Sequence, residues 1–122
     1  MTLLSKSQIL AAADLVTEDV EVPEWGGTVR VRAITAAERD AFETSVVGDG
    51  KGKRNLVNLR ARLVALAIVD DAGQRLFSDG EAEALGGKSG AAMDRVYAVA
   101  QRLSGLTERD VKELEGNSGA AR

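Results

Sequence analysis

The sequence predicts an α+β fold: a mostly α-helical single domain with one N-terminal β-hairpin. Three observations carry that reading. Apolar and charged residues alternate with period two on both sides of Pro23-Glu24-Trp25-Gly26-Gly27. Leucines at 56, 59, 63 and 66 step by three and four, the spacing that puts side chains on one face of an α-helix. Ser/Thr-x-x-acid sequences stand ahead of several short helical runs, as helix N-termini require.

The elements follow in chain order. Ser5 or Ser7 can open a short helix reaching about Ala13. Val20 and Val22 alternate with Asp19 and Glu21, and Val29, Val31 and Ala33 alternate with Thr28, Arg30 and Arg32. This patterning predicts a hairpin near residues 17–34 with a loop of about five residues, 23–27. Glu21 is expected to face Arg30 or Arg32 across the strands. A lone hairpin is marginal in water, so its valine face must pack on the helices.

Thr35-Ala36-Ala37-Glu38 has the form of a capping box and opens a helix with Ala37, Ala41 and Phe42 on its apolar face. Residues 48–54, GDGKGKR, form a glycine-rich basic loop. Asn55 is placed to cap the next helix, in which Val57, Val64 and Ile68 widen the leucine stripe. This is the most apolar segment, so it is expected at the centre of the core. Asp70-Asp71-Ala72-Gly73 reads as a turn, followed by a short extended piece. Ser78 to Glu81 forms another capping box, ahead of a helix ending at Leu85. Ala92, Val96, Val99 and Leu103 predict a helix from 89 to about 104, terminated by Gly105. Thr107 caps a last helix carrying Val111 and Leu114. The expected organisation is one domain over residues 1–116 and a flexible tail over 117–122.

Composition narrows the function. The chain of 122 residues contains no histidine and no cysteine. Histidine general bases, Ser-His-Asp triads, thiolate metal sites and disulfides are therefore excluded. A net charge of −3 argues against nucleic acid as the main partner. No stretch approaches the ~20 apolar residues of a membrane span, so no membrane partner is expected. MTLLSKSQIL lacks the pattern of a signal peptide. The expectation is a soluble cytoplasmic protein.

One short stretch invites an enzymatic reading. Gly87-Lys88-Ser89 matches the end of a phosphate-binding loop. That loop needs a glycine five residues before Gly87, a strand before it and a helix after it. Ala82 occupies the glycine position, and the preceding SDGEAEAL has an acidic helical pattern. Gly86 and Gly87 are better read as the end of one helix and Ser89 as the cap of the next. Asp70 to Gly73 lacks the alternating ligands of a calcium loop. No carboxylate pair is placed for glycoside chemistry. The expectation is no enzyme, no metal and no cofactor.

The remaining candidates concern protein partners. Lys51, Lys53, Arg54, Arg60 and Arg62 form the one basic cluster, read as a solvated face or as a site for an acidic surface. Trp25 at the hairpin tip is either a lid on the core or an exposed anchor. Leu106, Val111 and Leu114 are the apolar residues near the C-terminus least certain to be needed in the core.

The run VEVPEWGGTVRVRAITAAERDAFE, then RARLVALAIVDDAGQRLFSDGEAEALGGKSGAAMDRVYAVAQRLSGLTERDVKELEGN, resembles the tail assembly chaperones of long, flexible-tailed bacteriophages and prophages. The similarity spans nearly the whole chain. Its clearest pieces are Val22 to Gly27 leading into Val29 to Arg32, Glu38 to Phe42, Asp70 to Gly73 with Leu76-Phe77, and Ala100 to Thr107. None is a catalytic motif. The resemblance implies a non-catalytic helper of tail morphogenesis in the host cell cytoplasm. It implies binding to the long tape-measure protein and to tail-tube subunits, a longer form of the chain made by ribosomal frameshifting, and absence from the finished virion. The alternative is a structural minor tail or connector subunit retained in the particle.

Overall fold

A computed structural model describes residues 2–48 and 52–116. The order is α1 (Lys6–Ala11), β1 (Thr17–Val22), β2 (Gly27–Arg32), α2 (Ala36–Val47), α3 (Leu59–Ala67), β3 (Ile68–Val69), α4 (Ala82–Leu85), α5 (Gly90–Leu103) and α6 (Glu108–Leu114). The fold is α+β, with three antiparallel strands in the order β1-β2-β3.

The hairpin forms where alternation predicts it. Val22 pairs with Gly27, so the loop holds residues 23–26, one fewer than expected. Pro23 opens a 3₁₀ turn and Gly26 closes it in the left-handed region at φ 76°, where a side chain would be strained. The register also corrects the expected charge pair. Asp19, not Glu21, faces Arg30, with an Nε···Oδ1 distance of 2.7 Å. Arg32 turns away from β1. Its guanidinium reaches Glu38 Oε1 at 2.6 Å and the Leu66 carbonyl at 3.3 Å, and so joins β2 to α2 and α3.

Capping boxes form at Ser5, Thr35, Ser78 and Thr107, and the Ser89 hydroxyl accepts from the Ala92 N–H. These caps satisfy backbone donors that have no partner within the helix. On α2 the buried side chains are Phe42 and Val46, while Ala37 and Ala41 are exposed.

The central helix is shorter than its leucine stripe suggests. Asn55 Oδ1 accepts from the Val57 N–H, and Asn58 takes the left-handed conformation at φ 55°. Asparagine tolerates that region better than most residues. The turn they build delays α3 to Leu59 and leaves Leu56 and Val57 exposed. At the other end, β-branched Ile68 and Val69 leave the helix and pair with Val31 and Arg30 as β3. The sheet thereby gains a third strand. Between those limits α3 is enclosed: Leu63, Val64 and Ala67 are completely buried. It packs on α5, α4 and α2, and α5 packs across β1 and β2. The hairpin's valine face is covered by Ala92, Val96 and Ala100 of α5, which share its core cluster.

Candidate partner-binding surfaces

The arginines of the basic cluster have separate partners. Arg62 is half-buried, and its guanidinium donates to the Ser45 carbonyl at 2.9 Å, the Ser45 hydroxyl at 2.8 Å and the Asn55 carbonyl. It thereby ties together the two ends of the loop between α2 and α3. Burial pulls its pKa below the ordinary arginine value, and its Nε is buried without a partner. Arg60 pairs with Asp94 of α5 at 2.9 Å and lies 5.8 Å from the centroid of the Tyr97 ring. Burial pushes the Tyr97 phenol above its ordinary pKa. Arg54 donates to the Leu114 carbonyl at 3.0 Å, neutralising part of the negative end of α6. Lys53 is exposed, and Lys51 lies outside the described residues. Three of these five cations, Arg54, Arg60 and Arg62, thus bond to other parts of the body.

The hairpin tip is held down. Trp25 is half-buried against the core, with its indole N–H enclosed and without a partner. Its ring packs against the core, as a lid would. Arg95 of α5 grips the neighbouring Glu24 with two bonds, at 2.7 and 3.1 Å. That pair holds the Glu24 carboxyl down at about 2. Seven residues on along the same helix face, Arg102 reaches Glu18 of β1 at 2.7 Å.

The C-terminal candidates separate. Leu106, one of the apolar residues least certain to be needed in the core, is 4% exposed and belongs to it. Gly105 supplies the turn that aims it inward, at φ 72°. Val111 and Leu114 are half-buried along α6.

The largest apolar display was not singled out from the sequence. Leu3, Leu4, Ile9 and Leu10 lie on or beside α1, and no residue of α1 is buried. Ile9 and Leu10 are 57% and 76% exposed. The available signal was the Leu3-Leu4 and Ile9-Leu10 pairs flanking one capped turn and a half, too short to bury anything unaided. The body also has an open cleft of about 220 Å3 between α2, α3 and the turn before α4. Phe42, Leu66, Ala41 and Ala82 line it together with Ser45, Arg62 and Asp79.

The structure around Gly87-Lys88-Ser89 differs from a phosphate-binding loop. The residues before Gly87 form α4, not a strand, and Ser89 caps α5. Asp70 Oδ1 accepts from the N–H groups of Ala72 and Gln74, making a tight turn. Among the described residues, no group of acidic side chains is arranged to hold a metal ion. No helix there is long and apolar enough to cross a membrane.

The body carries a net charge of −3 and an N-terminal arm whose apolar side chains are exposed. The sequence pattern of the phage tail assembly chaperones matches residues 6–117. The chain belongs to that family. The chaperone is also similar to the structure of the bacteriophage HK97 tail assembly chaperone. The TM-score is 0.59 at 26% identity, over 80% of this chain and 94% of the HK97 chain. No curated protein sequence matches it. The chaperone is thus similar to its HK97 relative through most of the α+β body.

Proposed function

We propose that this tail assembly chaperone binds the phage tape-measure protein during tail morphogenesis in the host cell cytoplasm. In this reading it also contacts tail-tube subunits, acts together with a frameshifted longer form of itself, and leaves before the virion is complete. The observation that carries the reading is family membership over residues 6–117, joined to apolar side chains held in water. Leu3, Leu4, Ile9 and Leu10 in the arm, and Leu56 and Val57 ahead of α3, are exposed on a chain of net charge −3. Such groups can cover the apolar stripe of a long helical partner while the acidic surface keeps the complex soluble. Many copies along one partner would let each contact be weak.

Co-expression tests this. The tape-measure protein alone should aggregate; with the chaperone it should remain soluble and co-purify. Equal insolubility with and without the chaperone and its longer form, and no co-purification, overturns the reading. Detection of the chain in purified virions would instead select a structural minor tail or connector subunit.

A further inference from the structure

We propose that the outer edge of β1 is a docking site for an extended basic segment of another protein. The segment adds to the sheet as a fourth strand, antiparallel like the others, with Lys or Arg side chains beside Asp19 and Glu21. The strand order β1-β2-β3 leaves β1 at one edge of the sheet. The opposite edge is closed, because Arg75 bridges to Val69 and the Leu76 N–H donates to the Ile68 carbonyl at 3.1 Å. The register shows which β1 groups point outward. The Ala33 N–H donates to the Val16 carbonyl at 2.9 Å, and antiparallel pairs alternate between hydrogen-bonded and non-bonded. The bonded pairs are then Glu18 with Val31, Val20 with Val29 and Val22 with Gly27. The N–H and C=O groups of Thr17, Asp19 and Glu21 therefore point away from β2. Among the described residues, no other backbone group bonds to them.

Charge decides what this edge admits. Edge strands are commonly protected by Lys, Pro, a bulge or short length. β1 pairs through all six residues without a bulge and holds no Lys or Pro. It carries Glu18, Asp19 and Glu21 and no base. Glu18 is engaged by Arg102. Asp19 pairs with Arg30, yet its side chain stays 51% exposed. Glu21 is exposed and stands opposite Thr28 rather than a cation. A second copy of β1 is a poor occupant. With two such strands antiparallel and centred, Glu18 faces Glu21, and a slip of one residue sets Asp19 against Asp19 or against Glu21. Like charges directly opposite destabilise a pair. A strand with cations at alternate positions meets the reverse condition. Its backbone bonds supply affinity, and the alternating charges supply selectivity. This edge is separate from the exposed apolar groups on which the proposed function rests, so either contact can fail without the other.

The test is NMR titration of the isotope-labelled full chain with the end-capped peptide Thr-Lys-Val-Lys-Val-Lys-Thr. Binding should saturate and weaken as salt rises. The amides of Thr17, Asp19 and Glu21 should shift and exchange with water more slowly. Glu21→Lys should weaken binding at least about tenfold. It changes an exposed position, so its thermal melt should match the parent's. Two N-methylated peptides separate strand pairing from charge attraction, since both keep every cation. A Lys opposite Asp19 or Glu21 in an antiparallel pair turns its own N–H toward β1. Methylating the Lys backbone nitrogens should therefore abolish binding, and methylating the Val nitrogens should leave it intact. A Lys-methylated peptide that binds like the unmodified one overturns the proposal, because charge alone then holds it. So do the absence of saturable binding, shifts confined to residues outside the hairpin, and a Glu21→Lys variant that binds like the parent.

Discussion

Helices α1 and α3 draw on similar residues and do opposite things with them. KSQILA in α1 and LRARLVALA in α3 both mix long aliphatic side chains with cations. α3 buries seven of its nine residues, and α1 buries none. The cations follow the same division. Arg62 is consumed by carbonyls of the neighbouring loop, while Lys6 is exposed in the arm. The difference comes from what surrounds each helix. α3 has neighbours on several sides, whereas α1 precedes the sheet and meets no helix that covers it. An aliphatic side chain contributes stability in one setting and leaves binding capacity unspent in the other.

The most forceful way to break this comparison is to truncate a leucine in each helix. Leu63→Ala should cost about 2–5 kcal/mol, since a fully buried side chain leaves a cavity in close-packed surroundings. That is a large part of the ~5–15 kcal/mol expected for a domain. Urea unfolding followed by circular dichroism would show it, and a midpoint equal to the parent's would remove α3 from the centre of the fold.

A smaller effect sharpens the boundary between the regions, where α5 pins the hairpin that follows the arm. Hydrogen bonds from Arg95 and from its own backbone hold the Glu24 carboxyl down to about 2, from an ordinary value of 4.5. A folded-state pKa lowered in this way adds stability above pH 4.5 that is lost as pH falls toward 2. Asp19, bonded to Arg30, and Asp110, bonded to the Thr107 backbone, are shifted in the same direction. The urea midpoint should therefore fall between about pH 5 and pH 2, and Glu24→Gln should make that fall shallower. An identical pH profile for Glu24→Gln would mean that the clamp does not form in solution.

The smallest expected change is in the arm. Leu10→Ala should leave stability within about 0.5 kcal/mol of the parent, as for other exposed positions. A loss approaching that of Leu63→Ala would show that the arm packs on its own body and would dissolve the contrast between the two helices.

Much of the fold was legible because it rests on local chemistry. The hairpin follows from period-two alternation around Pro23 and Gly26. The helix starts follow from Ser5, Thr35, Ser78, Ser89 and Thr107, each of which bonds the backbone within three residues of itself. Where prediction erred, the cause was a distant partner at one end of the stripe and an unread local turn at the other. Periodicity carried the leucine stripe from Leu56 to Ile68. Yet Ile68 takes its strand conformation from Val31, and Leu56 loses its helix to a turn at Asn58. The candidate site was less legible. Leu106, Trp25 and Arg62 looked available as single letters, but contacts with the rest of the body enclose or occupy them.

The sequence by itself determined the absence of histidine and cysteine chemistry, the order of the capped helices and the position of the hairpin. These depend on residue type and on spacings of a few residues, which a linear string contains in full. Only the tertiary structure decided which apolar side chains remain uncovered, which arginines are spent on the body, and that a third strand completes the sheet. Burial is a property of what lies across the gap. For Leu10 and Leu63 that is the physical difference: water surrounds one, and packed side chains surround the other.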